Sequence, residues 1–202
     1  MNKSGPEKLK YYDQIWAEHF DKDTHAKGHT APQQVAQFAA KWIKDKQAKI
    51  LEIGAGTGLI GEELQKRGFV SLYAHDGSTE MIRIAKQKAI YKHIYHEFLY
   101  EESAIETIPE RAFDGLILQG IFGPHHLNGK HLQHILRLAK KPKAVVIMGV
   151  KEELIPEGLL EKWQELAESG VWQLLEKLHS PNYSLSWNGK PESGYFCAYQ
   201  TL

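Results

Sequence analysis

Three glycines at alternate positions close the run Lys49-Ile50-Leu51-Glu52-Ile53-Gly54-Ala55-Gly56-Thr57-Gly58. An apolar run entering such a turn reads as a buried strand feeding a helix. Glycine accepts positive φ and lets a ligand approach bare main chain. The turn also falls at the carboxyl end of a first strand, where open α/β sheets bind ligands. A plain strand-to-helix turn rarely needs three alternating glycines, so Gly54, Ala55, Gly56 and Gly58 are assigned to ligand binding. Glu52 stands just before the first glycine. An acid there repels a pyrophosphate and suits a ligand that carries positive charge.

The dinucleotide pattern G-x-G-x-x-G is met at Gly54 and Gly56, but its third position is Leu59, and Gly61 is displaced by two. The P-loop pattern fails as well, because no Gly-Lys-Ser/Thr follows. Twenty positions beyond Gly56 comes Asp76, in His75-Asp76-Gly77-Ser78 at the end of a second apolar run. A carboxylate there accepts both ribose hydroxyls of a nucleoside. Its alternative role is to cap the next helix, for which Ser78 is equally suited. A cationic nucleoside such as S-adenosylmethionine (SAM), with its ammonium and sulfonium, satisfies both acids.

Strands and helices must alternate to hold these residues. Strand-like runs are Lys49–Ile53, Ser71–His75, Glu97–Tyr100, Asp114–Leu118 and Ala144–Val150. Between them, helices are predicted from a Thr30 cap through Trp42, over Leu59–Arg67 up to Gly68, over Ser78–Lys88, over Asn128–Ala139 and over Leu154–Glu168. Alternation of this kind means βαβ units and a parallel sheet covered on both faces. Val171–Leu178 and Tyr195–Leu202 flank a polar stretch with Pro181, Asn182 and Gly194, so the tail adds an antiparallel hairpin. The expected fold is α/β, a Rossmann-like three-layer sandwich. Its sheet is seven-stranded and mostly parallel, with a C-terminal antiparallel hairpin, and residues 1–202 form a single domain. Residues 1–30 carry no strand signal. Tyr11, Tyr12, Ile15, Trp16 and Phe20 predict a helical segment over the ligand edge of the sheet.

Composition narrows the partners. Twenty-five Lys and Arg balance twenty-five Asp and Glu, which leaves no electrostatic footprint for nucleic acid or an anionic membrane. No run approaches the ~20 apolar residues of a membrane helix, and residues 1–10 lack an apolar signal region. A cytoplasmic protein, monomer or homodimer, is expected. The single cysteine, Cys197, lies in a strand-like run and reads as a packed core thiol. No cluster with metal-ligand spacing occurs, and no metal is expected.

Taken together, the glycine turn with Glu52, and Asp76 followed by the run to Met81, resemble the first two motifs of class I SAM-dependent methyltransferases. Phe113-Asp114-Gly115-Leu116-Ile117 resembles the entry to their fourth strand, and Leu132–Val150 their later helix and fifth strand. The resemblance covers residues 45–150. It implies SAM as cofactor and S-adenosylhomocysteine (SAH) as product, with Glu52, the glycine turn, Asp76, Gly77, Ser78 and Met81 around the donor. It also implies adenine contact at Glu102 and Ser103, where aspartate is usual. Tyr12-Asp13, Trp16-Ala17, Phe20-Asp21, Gly28, Ala31-Pro32, Gly120, His126-Leu127 and Gly194-Tyr195-Phe196 are similar to the Williams–Beuren syndrome region methyltransferase-like group. Ala55 stands where that group often has cysteine, and Gly77 where an aliphatic residue is common.

The implied reaction is in-line displacement at the methyl carbon, so the protein's work is placement, exclusion of water and handling of the acceptor's proton. The acceptor is expected at the end of the fourth strand, with Gln119 and Gly120 against the methionine part of SAM. His125 or His126 either takes the acceptor's proton or serves the start of the next helix. Tyr12 and Trp16 either form a lid with cation–π attraction to the sulfonium or pack as core. Tyr183 and Trp187 lie in a stretch that reads as a surface loop. A short, neutral chain favours a small-molecule acceptor. The competing readings are a non-catalytic SAM-binding protein, a protein methyltransferase, and a nicotinamide oxidoreductase, the last opposed by Glu52 and the misplaced third glycine.

Overall fold

The computed structural model describes residues 5–26, 30–99, 105–123, 126–185 and 190–202. The apolar runs become strands β1 (Ile50–Ile53), β2 (Leu72–Asp76), β3 (His93–His96), β4 (Gly115–Gln119), β5 (Val145–Lys151), β6 (Trp172–Leu185) and β7 (Pro191–Thr201). They form one sheet in the order β3-β2-β1-β4-β5-β7-β6. The first five are parallel, and β7 runs antiparallel between β5 and β6. The helices are α1 (Gly5–Tyr11), α2 (Ala17–Ala26), α3 (Ala31–Trp42), α4 (Leu59–Lys66), α5 (Thr79–Gln87), α6 (Gly129–Leu136) and α7 (Leu159–Glu168). A π-helical turn, Tyr12–Trp16, joins α1 to α2.

The period-2 alternation of the strands sorts side chains into two cores. Leu51, Ile53, Leu116, Leu118, Val146 and Met148 pack with Leu132 and Ile135 of α6 and Trp163 of α7. Ile50, Ile117, Val145 and Ile147 pack on the other face with Val35 and Phe38 of α3 and Leu64 of α4. That is the three-layer arrangement expected of central strands buried on both faces. Cys197 is buried in the first core, and burial pushes its thiol up to about 11. A thiol so disposed stays protonated at neutral pH, as a packed core residue should.

Three boundaries differ from expectation. The third strand is His93–His96, not Glu97–Tyr100. As an edge strand it leaves its side chains exposed or half-buried, so it needs no apolar run. The apolar signal at Phe98 reflects another contact: a Cβ on Gly77 would lie 2.7 Å from the Phe98 ring. Second, the polar stretch of the tail is largely strand, because β6 reaches Leu185 and β7 begins at Pro191. Pro181 is tolerated there because β6 is an edge with a register shift between Ser180 and Ser184. Third, the helix expected from Leu154 starts at Leu159; Glu152–Leu154 forms a separate 3-10 turn, and Gly158 adopts φ +77° at the helix start. Thr30 does precede α3, but its hydroxyl accepts from Gln34 Nε2 (2.7 Å) and caps no backbone amide.

Candidate active site

β1 and β2 are neighbours, and they end side by side. The turn after β1 places Gly54, Gly56 and Gly58 at φ +69°, +56° and +88°, the left-handed region where a side chain is strained. Gly54 and Ala55 donate their amides to the His75 carbonyl (2.8 and 3.0 Å), which ties the turn to the end of β2. The Gly56 amide donates to Asp76 Oδ2 at 2.7 Å, and the Ser78 amide to Oδ1 at 2.8 Å. Glycine turn and acid are thus one bonded unit. A carboxylate offers about four acceptor positions, so Asp76 keeps acceptor capacity beyond these two amides. Burial pushes the Asp76 carboxyl above its usual range, opposed by the Ser78 and Gly56 amides. A Cβ built on Gly56 meets only Met81 Sδ, at 4.0 Å, so the main chain is bare where a ligand must approach it.

Ser78 has two roles. Its hydroxyl accepts from the Met81 amide (3.2 Å), capping α5, and donates to Asp13 Oδ1 at 2.6 Å. Asp13 also accepts from the Glu80 amide (3.2 Å), at the helix end where a negative charge is favoured. A second aspartate of the N-terminal segment, Asp21, accepts from the Thr57 hydroxyl and pairs with Lys88 at 2.7 Å. The segment is therefore fastened both to the glycine turn and to α5. Trp16 is half-buried against Phe20 (ring centroids 5.0 Å apart, edge to face). Tyr12 contributes backbone to the π-helical turn; its side chain, like Glu102, Ser103 and His125, lies outside the described residues.

At the end of β4, Gln119 donates through Nε2 to the Tyr183 hydroxyl (2.6 Å). Its Oε1 is buried with no hydrogen-bond partner among the described residues. Such an acceptor is costly unless something supplies a donor, and an amino-acid ammonium is one such donor. Tyr183 reaches this place because the irregularity in β6 turns it inward, and it is 2% exposed. Gly149 and Gly194 make room for the pair. Gly120 follows at φ +67°, with open space on its Cβ side. His126 is exposed on the turn after β4, its amide donating to the Gly123 carbonyl (3.0 Å). The residues that cap α6 are Asn128 and His131, so His126 is not needed for that task.

Glu52 is buried, 3% exposed, at the base of the turn. Tyr91 donates its hydroxyl to Glu52 Oε2 at 2.7 Å. Burial pushes the Glu52 carboxyl up to about 8, opposed by the Tyr91 hydroxyl. Tyr91, Asp13, Asp21 and Tyr183 were not singled out for the donor site by sequence. Gly61 was the available signal for Tyr91, since its displaced position matches neither nucleotide pattern.

Residues 50–142 match a family described as "Methyltransferase domain". The chain is 30% identical over 175 residues to methyltransferase-like protein 27 of Homo sapiens, covering 83% of this chain and 69% of that protein. It is 23% identical over 152 residues to the ribosomal protein L11 methyltransferase of Thermotoga neapolitana, covering 74% of this chain and 52% of that one. Magnesium protoporphyrin IX methyltransferase from Synechocystis PCC 6803, solved with bound SAM, shares the fold with a TM-score of 0.68 at 13% identity, over 99% of this chain and 98% of that chain. A glycine turn bonded to the acid of the next strand, on a sheet of this order and in a chain this similar to methyltransferase-like protein 27, has one reading: the chain belongs to the class I SAM-dependent methyltransferases.

Proposed function

We propose that the chain moves a methyl group from SAM to a small-molecule acceptor by in-line displacement. The observation that carries this reading is the Gly56–Asp76 hydrogen bond, which joins bare main chain and a sugar-binding carboxylate into one receptor. When bound, SAM supplies an electrophilic methyl and a neutral thioether leaving group. Asp76 grips the ribose, Gly54, Ala55, Gly56 and Gly58 line the donor, Met81 borders Gly56, and Gln119 Oε1 with Gly120 receives the ammonium end. Glu102 and Ser103 are assigned to adenine. The segment carrying Tyr12, Asp13, Trp16 and Asp21 covers the site and limits water. His126, exposed beyond β4, takes the acceptor's proton, and its neighbour His125 shares that assignment.

A small acceptor is supported by the near-complete mutual coverage with a methyltransferase named for a porphyrin substrate. The name of the Thermotoga relative supports a protein acceptor instead, at lower coverage. No described helix is long and apolar enough to cross a membrane.

The test is calorimetric titration with SAM, SAH and NAD. The adenosyl-sulfur compounds bind and NAD does not. Asp76→Ala removes two charge-assisted hydrogen bonds to ribose, each ~1.5–3 kcal/mol, and weakens SAH by at least ~100-fold. Equal binding of SAH by wild type and Asp76→Ala rejects the assignment.

A further inference from the structure

Tyr91 leaves the short turn after α5, where Ala89 adopts φ +53°, and its ring lies against the glycine turn and the first turn of α4. A Cβ on Gly58 would lie 3.0 Å from the ring, and one on Gly61 2.4 Å from the Tyr91 hydroxyl. The second distance is shorter than any real Cβ contact, so the hydroxyl occupies the place an alanine at 61 would fill. The space left at Gly61 leads the hydroxyl to Glu52 Oε2, 2.7 Å away. Burial and the neighbouring Glu52 carboxyl raise the Tyr91 phenol, so it remains a donor at every pH at which the protein works.

We propose that Tyr91 is a positioning residue of the donor site, holding the Glu52 carboxylate at the base of the glycine turn so that its charge is available to a cationic ligand. The inference rests on the SAM reading above. Removing the Tyr91 hydrogen bond shifts the balance further toward the neutral carboxyl. The other charged groups around Glu52 are Asp76 on β2, which opposes its ionisation, and Lys88 at the end of α5, which favours it. Lys88 is shared with Glu62 of α4 (2.9 Å) and Asp21 of α2 (2.7 Å). These groups are unchanged in Tyr91→Phe, so only the hydroxyl is tested.

The experiment titrates wild type and Tyr91→Phe with SAM by calorimetry between pH 6 and 8.5. The ratio of the two affinities cancels the titration of the cofactor's own amine. Loss of the hydroxyl raises the Glu52 midpoint, so wild type binds several-fold more tightly at pH 7, and the two affinities converge as pH rises past about 8. Gly61→Ala, which displaces the same hydroxyl while keeping Tyr91, shows the same convergence. In Glu52→Gln background the Tyr91→Phe change has no pH-dependent effect. A ratio near one throughout, or a ratio that is constant with pH, overturns the proposal while leaving the SAM reading intact. Wild type that binds no SAM at any pH overturns the SAM reading and the proposal together.

Discussion

Replacing Glu52 by glutamine should make the ligand-free protein more stable in mild alkali. Burial lifts the folded carboxyl from the ordinary 4.5 to about 8. Between those values the folded chain holds a proton that the unfolded chain has released. Stability then falls as pH rises, by about 1.4 kcal/mol per pH unit. The contribution is fully present below about pH 4.5 and is lost as pH passes through about 8. Over the interval the loss is at most on the order of 4 kcal/mol, a large part of the 5–15 kcal/mol typical of a domain. Glutamine keeps the shape and an oxygen for the Tyr91 hydroxyl but does not titrate. His75 acts oppositely, because burial lowers its pKa, but it is present in both proteins and cancels in the comparison. Urea unfolding at pH 5.5, 7 and 8.5 measures the difference. The stability of wild type relative to Glu52→Gln should fall by roughly 3 kcal/mol across that range. A difference that does not change with pH would refute the assignment of a buried, proton-binding carboxyl at the base of the turn.

Gly61→Ala, although alanine favours helix by about 1 kcal/mol, should destabilise the protein by about 1–3 kcal/mol through collision with Tyr91. Combined with Tyr91→Ala, the same change should become neutral or stabilising relative to Tyr91→Ala alone, as read by urea unfolding. Asp21→Ala releases Thr57 and Lys88 from the N-terminal segment. Limited proteolysis should then cut within residues 5–26 about fivefold faster, the equivalent of ~1 kcal/mol of lost pairing, while the sheet resists as before. Equal cleavage rates would show that the segment is held by its apolar contacts alone.

The sequence was most informative where burial is uniform. β1, β4 and β5 are buried on both faces, so their composition alone marks them as central strands. Gly54, Gly56 and Gly58 were legible for the same reason that they exist: their backbone conformation excludes other residues. β3 was misplaced because an edge strand needs no apolar signature, whereas Phe98, packing over Gly77, supplies one outside any strand. Tyr183 read as part of a surface loop because its inward turn depends on a register shift in β6, which no periodicity announces. Tyr91 was missed because its role needs three contacts distant in sequence, Glu52, Gly58 and Gly61, to converge on one ring. Asp13 and Asp21 sat in a leader whose resemblance to a family gave them a place but no partner.

The charges around the turn explain why a balanced chain selects a cation. The whole sequence has equal numbers of acidic and basic side chains, yet Glu52, Asp76, Asp13 and Asp21 all gather at the ends of β1 and β2 or on the segment fastened over them. Lys88 offsets this only in part, since it is engaged by Asp21 and Glu62. A dinucleotide pyrophosphate would meet Glu52 and Asp76, and Asp13 already occupies the amide end of α5. An ammonium and a sulfonium meet the same acids as partners. The site's preference therefore comes from where the carboxylates are placed and not from net charge. Above about pH 8, where the Glu52 carboxyl ionises, Glu52→Gln should accordingly reduce affinity more for SAM, whose sulfonium is permanently charged, than for SAH, which lacks it. A Glu52→Gln protein that weakens both ligands by the same factor would mean that the sulfonium does not sense this field.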